Sequence, residues 1–210
     1  NNAWKQYKHV ENDSTSLVSD QVNCLVIGEK GQLYAATGDG LCEFLPSKGI
    51  FRRISIEAPS LDFASLVISQ GVMWISTSKG IVKYTPGEPV QLFNKYDGLT
   101  CDQFMPNAGL LASDGRIYFG STRGFNCFYP YLVKINQVAP PVAITSVELF
   151  GQPIEAGSDQ LEKSLSHAAE LNLSHNENTI NISFAALSYV SPEKNQYAYK
   201  LEGVDKDWIY

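Results

Sequence analysis

Three stretches of this chain align without a gap: GQLYAATGDGLCEFLP from Gly31 to Pro46, GVMWISTSKGIVKYTP from Gly71 to Pro86, and GRIYFGSTRGFNCFYP from Gly115 to Pro130. Each opens on Gly, an aliphatic residue follows, and then comes an aromatic (Tyr34, Trp74, Tyr118). A small residue (Ala36, Ser76, Gly120) precedes a hydroxyl (Thr37, Thr77, Ser121), and a second Gly (Gly40, Gly80, Gly124) precedes a large apolar residue. An aromatic (Phe44, Tyr84, Phe128) and a Pro close the unit after one or two further residues. A repeat of about 40 residues, punctuated every few residues by Gly, has room only for short strands. One such unit cannot bury its own faces, so neighbouring units must stack, as the blades of a β-propeller do.

The repeat sets a strand for each apolar stretch between turns. The first unit predicts strands at 22–27, 33–36, 41–45 and 51–56. The second predicts 65–68, 73–76, 81–85 and 90–94. The third predicts 109–112, 117–120, 125–129 and 133–135. The opening segment, Trp4 to His9, reads as the outer strand of a preceding blade. Gly40, Gly80 and Gly124 each end a tight turn, which predicts positive φ at all three. A closed propeller has 4–8 blades, so three blades make an arc whose bare edges invite self-association, most simply a dimer.

Pro140-Pro141 ends the repeat. Two prolines impose an extended joint, so residues 1–139 are expected to form the blades and residues 140–210 a second domain. In that second part VAITSVELFG (Val142–Gly151), ELNLS (Glu170–Ser174), TINISFAALSY (Thr179–Tyr189) and QYAYKLEGV (Gln196–Val204) read as strands, and residues 152–169 hold no long helix. The pattern suggests an immunoglobulin-like β-sandwich. Such a fold needs about 100 residues and seven strands, so it is expected to be incomplete here. The fold class is therefore all-β: a partial propeller followed by a truncated sandwich.

Composition narrows the chemistry. With 16 Lys+Arg against 22 Asp+Glu the chain has a formal charge of -6, and nothing supplies the basic face of a nucleic-acid binder. Hydrophobic residues at 44% suit a packed core. Cys24, Cys42, Cys101 and Cys127 form no CxxC pair, which argues against zinc. Four cysteines allow three disulfide pairings, although Cys24, Cys42 and Cys127 lie in apolar runs that suit buried thiols, with Cys101 the exposed one. His9, His167 and His175 sit in polar surroundings without metal-ligand spacing. Gly120-Ser121-Thr122-Arg123-Gly124 misplaces the serine of a nucleophile elbow. No cofactor or metal is expected. Glu43, Asp62 and Asp102 are the acids that a glycosidase-like cleft could use, and solvated surface charge is the simpler reading.

The stretch ENTINISFAALSYVSPEKNQYAYKLEGVDKDWIY, from Glu177 to Tyr210, carries a resemblance. Its Tyr189, Ser191-Pro192-Glu193, Tyr197-Ala198-Tyr199, Leu201-Glu202-Gly203 and Asp205-Lys206-Asp207-Trp208 are similar to the triple-tyrosine domain of hybrid two-component system proteins of Bacteroides-type bacteria. The repeats, GRIYFGSTRGFNCFYP above all, resemble the two-component regulator propeller that precedes it. The resemblance implies a periplasmic sensor region of an inner-membrane histidine kinase. In that family such a region detects oligosaccharides from complex glycans and passes the change to a phosphorelay that regulates transcription. Membrane attachment would come only through segments beyond residue 210. The segment itself is expected to be non-catalytic.

In propellers the loops joining blades share a rim with the loops joining the second and third strands. Here those loops are Thr37–Gly40, Thr77–Gly80, Thr122–Asn126 and Cys101–Asn107. Sugar recognition calls for aromatic faces and planar polar groups, which makes Asp102, Gln103, Phe104, Arg123 and Asn126 the candidate ligand residues. Turn capping is the structural alternative for each. Beside the sensor stand two other functions: a non-catalytic propeller scaffold for protein binding, and a propeller-type lyase or hydrolase.

Overall fold

The computed structural model of the chain describes residues 4–134, 140–158, 161, 164–165, 171–187, 192 and 195–210. The chain divides into two compact units, Asn1–Ile135 and Asn136–Tyr210.

The first unit holds three antiparallel sheets, each a simple meander. β1 (Val22–Ile27), β2 (Leu33–Thr37), β3 (Gly40–Leu45) and β4 (Ile50–Ile54) form sheet one. β5 (Phe63–Ser69), β6 (Val72–Thr77), β7 (Gly80–Tyr84) and β8 (Gln91–Phe93) form sheet two. β9 (Phe104–Leu111), β10 (Ile117–Ser121) and β11 (Gly124–Phe128) form sheet three. Eleven of the expected strands are therefore present. The twelfth, 133–135, is not a strand at Val133 or Lys134. A 3-10 turn at Pro130–Leu132 redirects the chain instead, and Ile135 lies outside the described residues.

The sheets stack in chain order through apolar faces, an arrangement compatible with propeller blades. Tyr34, Ala36 and Leu41 of sheet one meet Phe63, Leu66, Ile75 and Val82 of sheet two. Trp74 and Ile81, on the opposite face of sheet two, meet Phe104, Ile117 and Phe119 of sheet three. Alternation along β6 explains this division, since successive side chains point to opposite faces. Ile75 faces backward and Trp74 forward. Near the start of each first strand the register shifts: between Val22 and Cys24, between Phe63 and Ser65, and opposite Phe119 and Ser121. Such bulges bend a strand and strengthen its twist.

The opening segment departs from expectation. Trp4 to His9 forms no strand, only a single bridge between His9 and Leu17. Its polar groups go elsewhere: the His9 amide donates to Asp20 Oδ1 (2.6 Å), and its Nδ1 lies 2.8 Å from the Leu17 carbonyl. The segment still packs, with Tyr7 edge-on to Phe44 and Phe51.

In the second unit β12 (Val142–Leu149) pairs with β13 (Gln152–Pro153) and with β14 (Ile180–Ala186). This single sheet is what the described residues hold of the expected sandwich. Leu171–Ser174 is not a strand, because Ser174 instead closes a turn through Glu177, whose carboxylate takes its amide and hydroxyl (2.7 Å each). Nor is Gln196–Val204 a strand. Tyr199 makes one bridge to Ile209, and the chain then reverses at Leu201–Asp205. There Asp205 Oδ2 accepts from Leu201 N (2.7 Å) and Gly203 adopts φ 86°. Tyr197 packs edge-on to Phe184 at 5.5 Å, and its hydroxyl accepts from Ala186 N. Glu170, Tyr189, Ser191, Glu193 and His167 lie outside the described residues. So does part of the 152–169 stretch, whose described residues contain no helix. The all-β expectation holds: among the described residues there is no α-helix, and no helix is long and apolar enough to cross a membrane.

Candidate functional site

The three turns between the second and third strands share one construction. Thr37, Thr77 and Ser121 end their strands, and each hydroxyl donates to the carbonyl of Gly40, Gly80 or Gly124 (2.8, 2.9 and 3.0 Å). The same oxygen accepts the amide of Asp39, Lys79 or Arg123 (3.3, 2.9 and 3.3 Å). The hydroxyl column of the repeat is thus a clamp that closes a two-residue hairpin turn. It presents Asp39, Lys79 and Arg123 at equivalent turn tips. Thr77 is fully buried, so Thr77→Val removes the hydroxyl from the buried Gly80 carbonyl and from the part-buried Lys79 amide and is expected to lose about 1–3 kcal/mol of stability. Thr77→Ser, the residue type that sheet three uses, should lose far less. Urea unfolding of the two variants compares them directly, and equal losses would refute the clamp.

Beside the sheet-three turn the loop at 98–103 is sewn down by its neighbours. Asn126 Oδ1 accepts from Thr100 N (3.0 Å), and Asn126 Nδ2 donates to Thr100 Oγ1 (3.1 Å). Thr100 Oγ1 also lies 3.2 Å from Ser121 Oγ, and Thr122 N donates to the Gln103 carbonyl (3.2 Å). The structure therefore gathers Gln103, Arg123 and Asn126 at one place. Asp102 Oδ1 accepts from Lys95 N (2.6 Å) and ties the loop to the 3-10 turn Lys95–Asp97.

These residues play different parts. Phe104 is buried in the core edge-on to Phe119 (centroids 6.2 Å apart). A ring packed this way has no face for a sugar, which corrects its assignment as a stacking residue. Asn126 has both ends of its amide engaged with Thr100 and positions the loop. Arg123 and Gln103 are exposed, and among the described residues their side chains meet no hydrogen-bonding partner. They are the groups available to a ligand. Behind Asn126 is a cavity of about 250 Å³ lined by Trp74, Ile81, Phe93, Leu99, Phe128 and Val133. Trp74 Nε1 is buried without an acceptor.

Cys101 sits within this cluster, its Sγ 3.6 Å from Thr122 Oγ1. The polar groups around the thiol, Ser121 first and then Thr122 and the Gln103 and Arg123 backbone, hold it below its ordinary value, partly opposed by burial. Because the thiolate is the nucleophile, Cys101 should be alkylated by iodoacetamide at a lower pH than an unperturbed thiol. Ser121→Ala should move that midpoint upward. Peptide mapping across a pH series reads both, and an unmoved midpoint would remove Ser121 as the cause.

The remaining cysteines and acids complete the inventory. All four cysteines are free. Cys24 and Cys42 are buried as expected, but Cys127 is exposed. It belongs to the outermost strand of sheet three, on the face that no further sheet covers. Glu43 is a buried carboxylate paired with Arg52 on the neighbouring strand. It is therefore committed to sheet one, while Asp102 serves the loop before β9 and Asp62 is exposed. Among the described residues no three His, Cys, Asp or Glu side chains converge as a metal site.

No family profile matches the chain. Over 139 residues it is 27% identical to Histidine kinase P4 of Formosa agariphila, a match spanning 65% of this chain and 10% of that protein. In fold it is similar to the crystal structure of the extracellular domain of a hybrid two-component system protein from B. thetaiotaomicron. That likeness has 25% identity and a TM-score of 0.70, and covers 91% of this chain and 26% of the other. The chain therefore spans about a quarter of that domain and a tenth of the kinase. The resemblance to sensor regions of two-component proteins, read first from the repeats and the C-terminal motif, is borne out by both comparisons.

Proposed function

We propose that this chain is an extracytoplasmic, ligand-sensing and signal-transmitting segment of a hybrid two-component sensor histidine kinase, located in the periplasm. The blades of residues 1–139 form its receiving part, and a triple-tyrosine, immunoglobulin-like domain at 140–210 its transmitting part. Its ligand is an oligosaccharide. The observation that carries this reading is the likeness in fold, over 91% of the chain, to the extracellular domain of such a system. The exposed guanidinium of Arg123 and amide of Gln103 support the ligand class, since planar donors and acceptors suit vicinal hydroxyls. A sensor needs a ligand that favours one conformation over another, and it needs no turnover.

Loops of three blades present a shallow surface, and affinity per contact is poor on such surfaces. This chain alone should accordingly bind oligosaccharides weakly. Calorimetry against an oligosaccharide panel, on this chain and on the longer extracytoplasmic region of its parent protein, tests the reading. Binding by the longer region that Arg123→Ala weakens supports it. Asn126→Ala is the less informative variant, because it also releases the 98–103 loop. Hydrolysis or elimination of any sugar would overturn the proposal.

A further inference from the structure

The repeat allows the first strand of each sheet to be compared with its counterparts. In sheet one Val22 pairs with Thr37 and Cys24 with Ala36, which leaves Asn23 as a single extra residue. In sheet two Phe63 pairs with Thr77 and Ser65 with Ser76, which leaves Ala64. Both extra residues are used inside the stack. Asn23 Nδ2 donates to the Phe63 carbonyl (3.0 Å), and Ala64 is buried in the core between sheets two and three. Sheet three is built differently. Phe104 pairs with Ser121 and Gly109 with Phe119, so the four residues from Met105 to Ala108 stand against Gly120 alone. Ala108 lies over Gly120, where an added Cβ would come within 2.9 Å of the Ala108 methyl. Met105, Pro106 and Asn107 are therefore an insert of three residues where each of the other sheets has one.

The insert is anchored at both ends. Before it, Phe104 is buried and the Gln103 carbonyl takes the Thr122 amide. After it, Gly109 fits so closely against Ser65 and Phe119 that a Cβ would collide with both. Between these anchors Met105, Pro106 and Asn107 are all exposed. Asn107 has φ 53°, in the left-handed region that a strand residue seldom visits, and its amide meets no hydrogen-bonding partner among the described residues. Ser121 is the last residue before the turn that presents Arg123, so the register makes the insert leave the sheet at that tip, next to Gln103. Bulges of this kind re-aim side chains beside functional sites, and strained backbone at such places is part of how a site is held ready. We propose that the insert is the second half of the oligosaccharide site, and that it selects a neutral sugar ring. Met105 and Pro106 offer an apolar, uncharged surface to the C–H face of the ring. The Asn107 and Gln103 amides and the Arg123 guanidinium take its hydroxyls. The three inserted residues bring no charge, and Asp102, the carboxylate of the adjoining loop, is already spent on the Lys95 amide. This inference deepens the sensor reading and rests on it.

The left-handed backbone of Asn107 supplies the test, because it separates binding from folding. Glycine takes that conformation without strain, so Asn107→Gly should unfold in urea at or above the midpoint of the unmodified protein. Asn107→Asp keeps the shape and removes the donor, and Met105→Ala removes the apolar contact. Calorimetry on the longer extracytoplasmic region of the parent protein uses gluco-, manno- and xylo-oligosaccharides as neutral probes and oligogalacturonides as acidic ones. At least one neutral series should bind, and each of the three variants should weaken it by about five- to tenfold, the loss of one hydrogen bond or one apolar contact. Binding that Arg123→Ala weakens while Asn107→Gly, Asn107→Asp and Met105→Ala leave it unchanged overturns the proposal and leaves the sensor reading standing. So does binding confined to the acidic probes. If none of the probes binds, the oligosaccharide reading falls and this inference falls with it.

Discussion

Gly80→Ala is expected to cost about 3 kcal/mol or more and to lower the urea midpoint far more than Gly124→Ala. Both glycines close the same turn with positive φ, 124° and 107°, where a side chain is strained whatever the space around it. That shared strain is worth about 1–3 kcal/mol. The surroundings differ. A Cβ on Gly124 would meet nothing within 4 Å. A Cβ on Gly80 would run into the Phe93 carbonyl oxygen, within 3.4 Å of the Asn94 Cα as well. These are backbone atoms of β8 and of the residue that caps the following 3-10 turn, so no rotamer change can relieve the contact. Strand β8 must move away, and its pairing with β7 and the packing of Phe93 on Trp74 go with it. Equal losses at the two glycines would show that backbone strain alone decides the effect.

Much of this fold was legible because the repeat is written in residue types with distinct physical duties. Positive φ at Gly40, Gly80 and Gly124 followed from turn chemistry and is present at all three. The strands of sheets one and two match their expected positions to within a few residues at either end, as alternation and bounding turns allow. What the repeat could not convey is context. The third copy carries the same signals as the first two, yet among the described residues no fourth strand joins its sheet, and Cys127 is exposed where an apolar run suggested burial. Burial of a strand face depends on the neighbouring sheet, and no local pattern reports whether that neighbour exists.

The candidate site was legible in part for a related reason. Gln103, Arg123 and Asn126 do come together, although Phe104–Asn107 and Gly124–Asn126, expected in loops, belong to β9 and β11. Their roles depend on pairings distant in sequence. Asn126 bonds Thr100 across 26 positions, and nothing near Asn126 in sequence announces that partner. Phe104 lies beside polar residues and reads as loop, but it begins β9 and turns into the core. The hydroxyl column was visible, while its use as a turn clamp required the geometry. In the second unit, Asp205 and Gly203 lie in the motif that carried the family resemblance. Their service in a reverse turn, with Gln196–Val204 consequently not a strand, was hidden by the alternating pattern of Tyr197 and Tyr199.

Trp74→Ala is expected to be the most damaging core substitution, at about 3–5 kcal/mol. Trp74 is the largest fully buried side chain of the chain's described residues and joins sheet two to sheet three. Its ring packs against Phe128 and Phe93, with centroids 4.9 and 6.0 Å away. Two features set the loss at the upper end. The site already borders a cavity of about 250 Å³, so truncation enlarges an existing void, and the cost rises with the volume left unfilled. The walls are strands paired on both sides, β6 between β5 and β7, which limits collapse into the gap. No hydrogen bond is lost, because Trp74 Nε1 has no acceptor; the cost is packing alone, and Trp74→Phe should recover a large part of it. Tyr118→Ala, at the same repeat position but on the bare forward face of sheet three, should lose about 1 kcal/mol or less in the monomer. Denaturant unfolding of Trp74→Ala, Trp74→Phe and Tyr118→Ala at low protein concentration separates these terms. Similar losses for Trp74→Ala and Tyr118→Ala would mean that the repeat position itself, and not coverage by the next sheet, determines what the aromatic contributes.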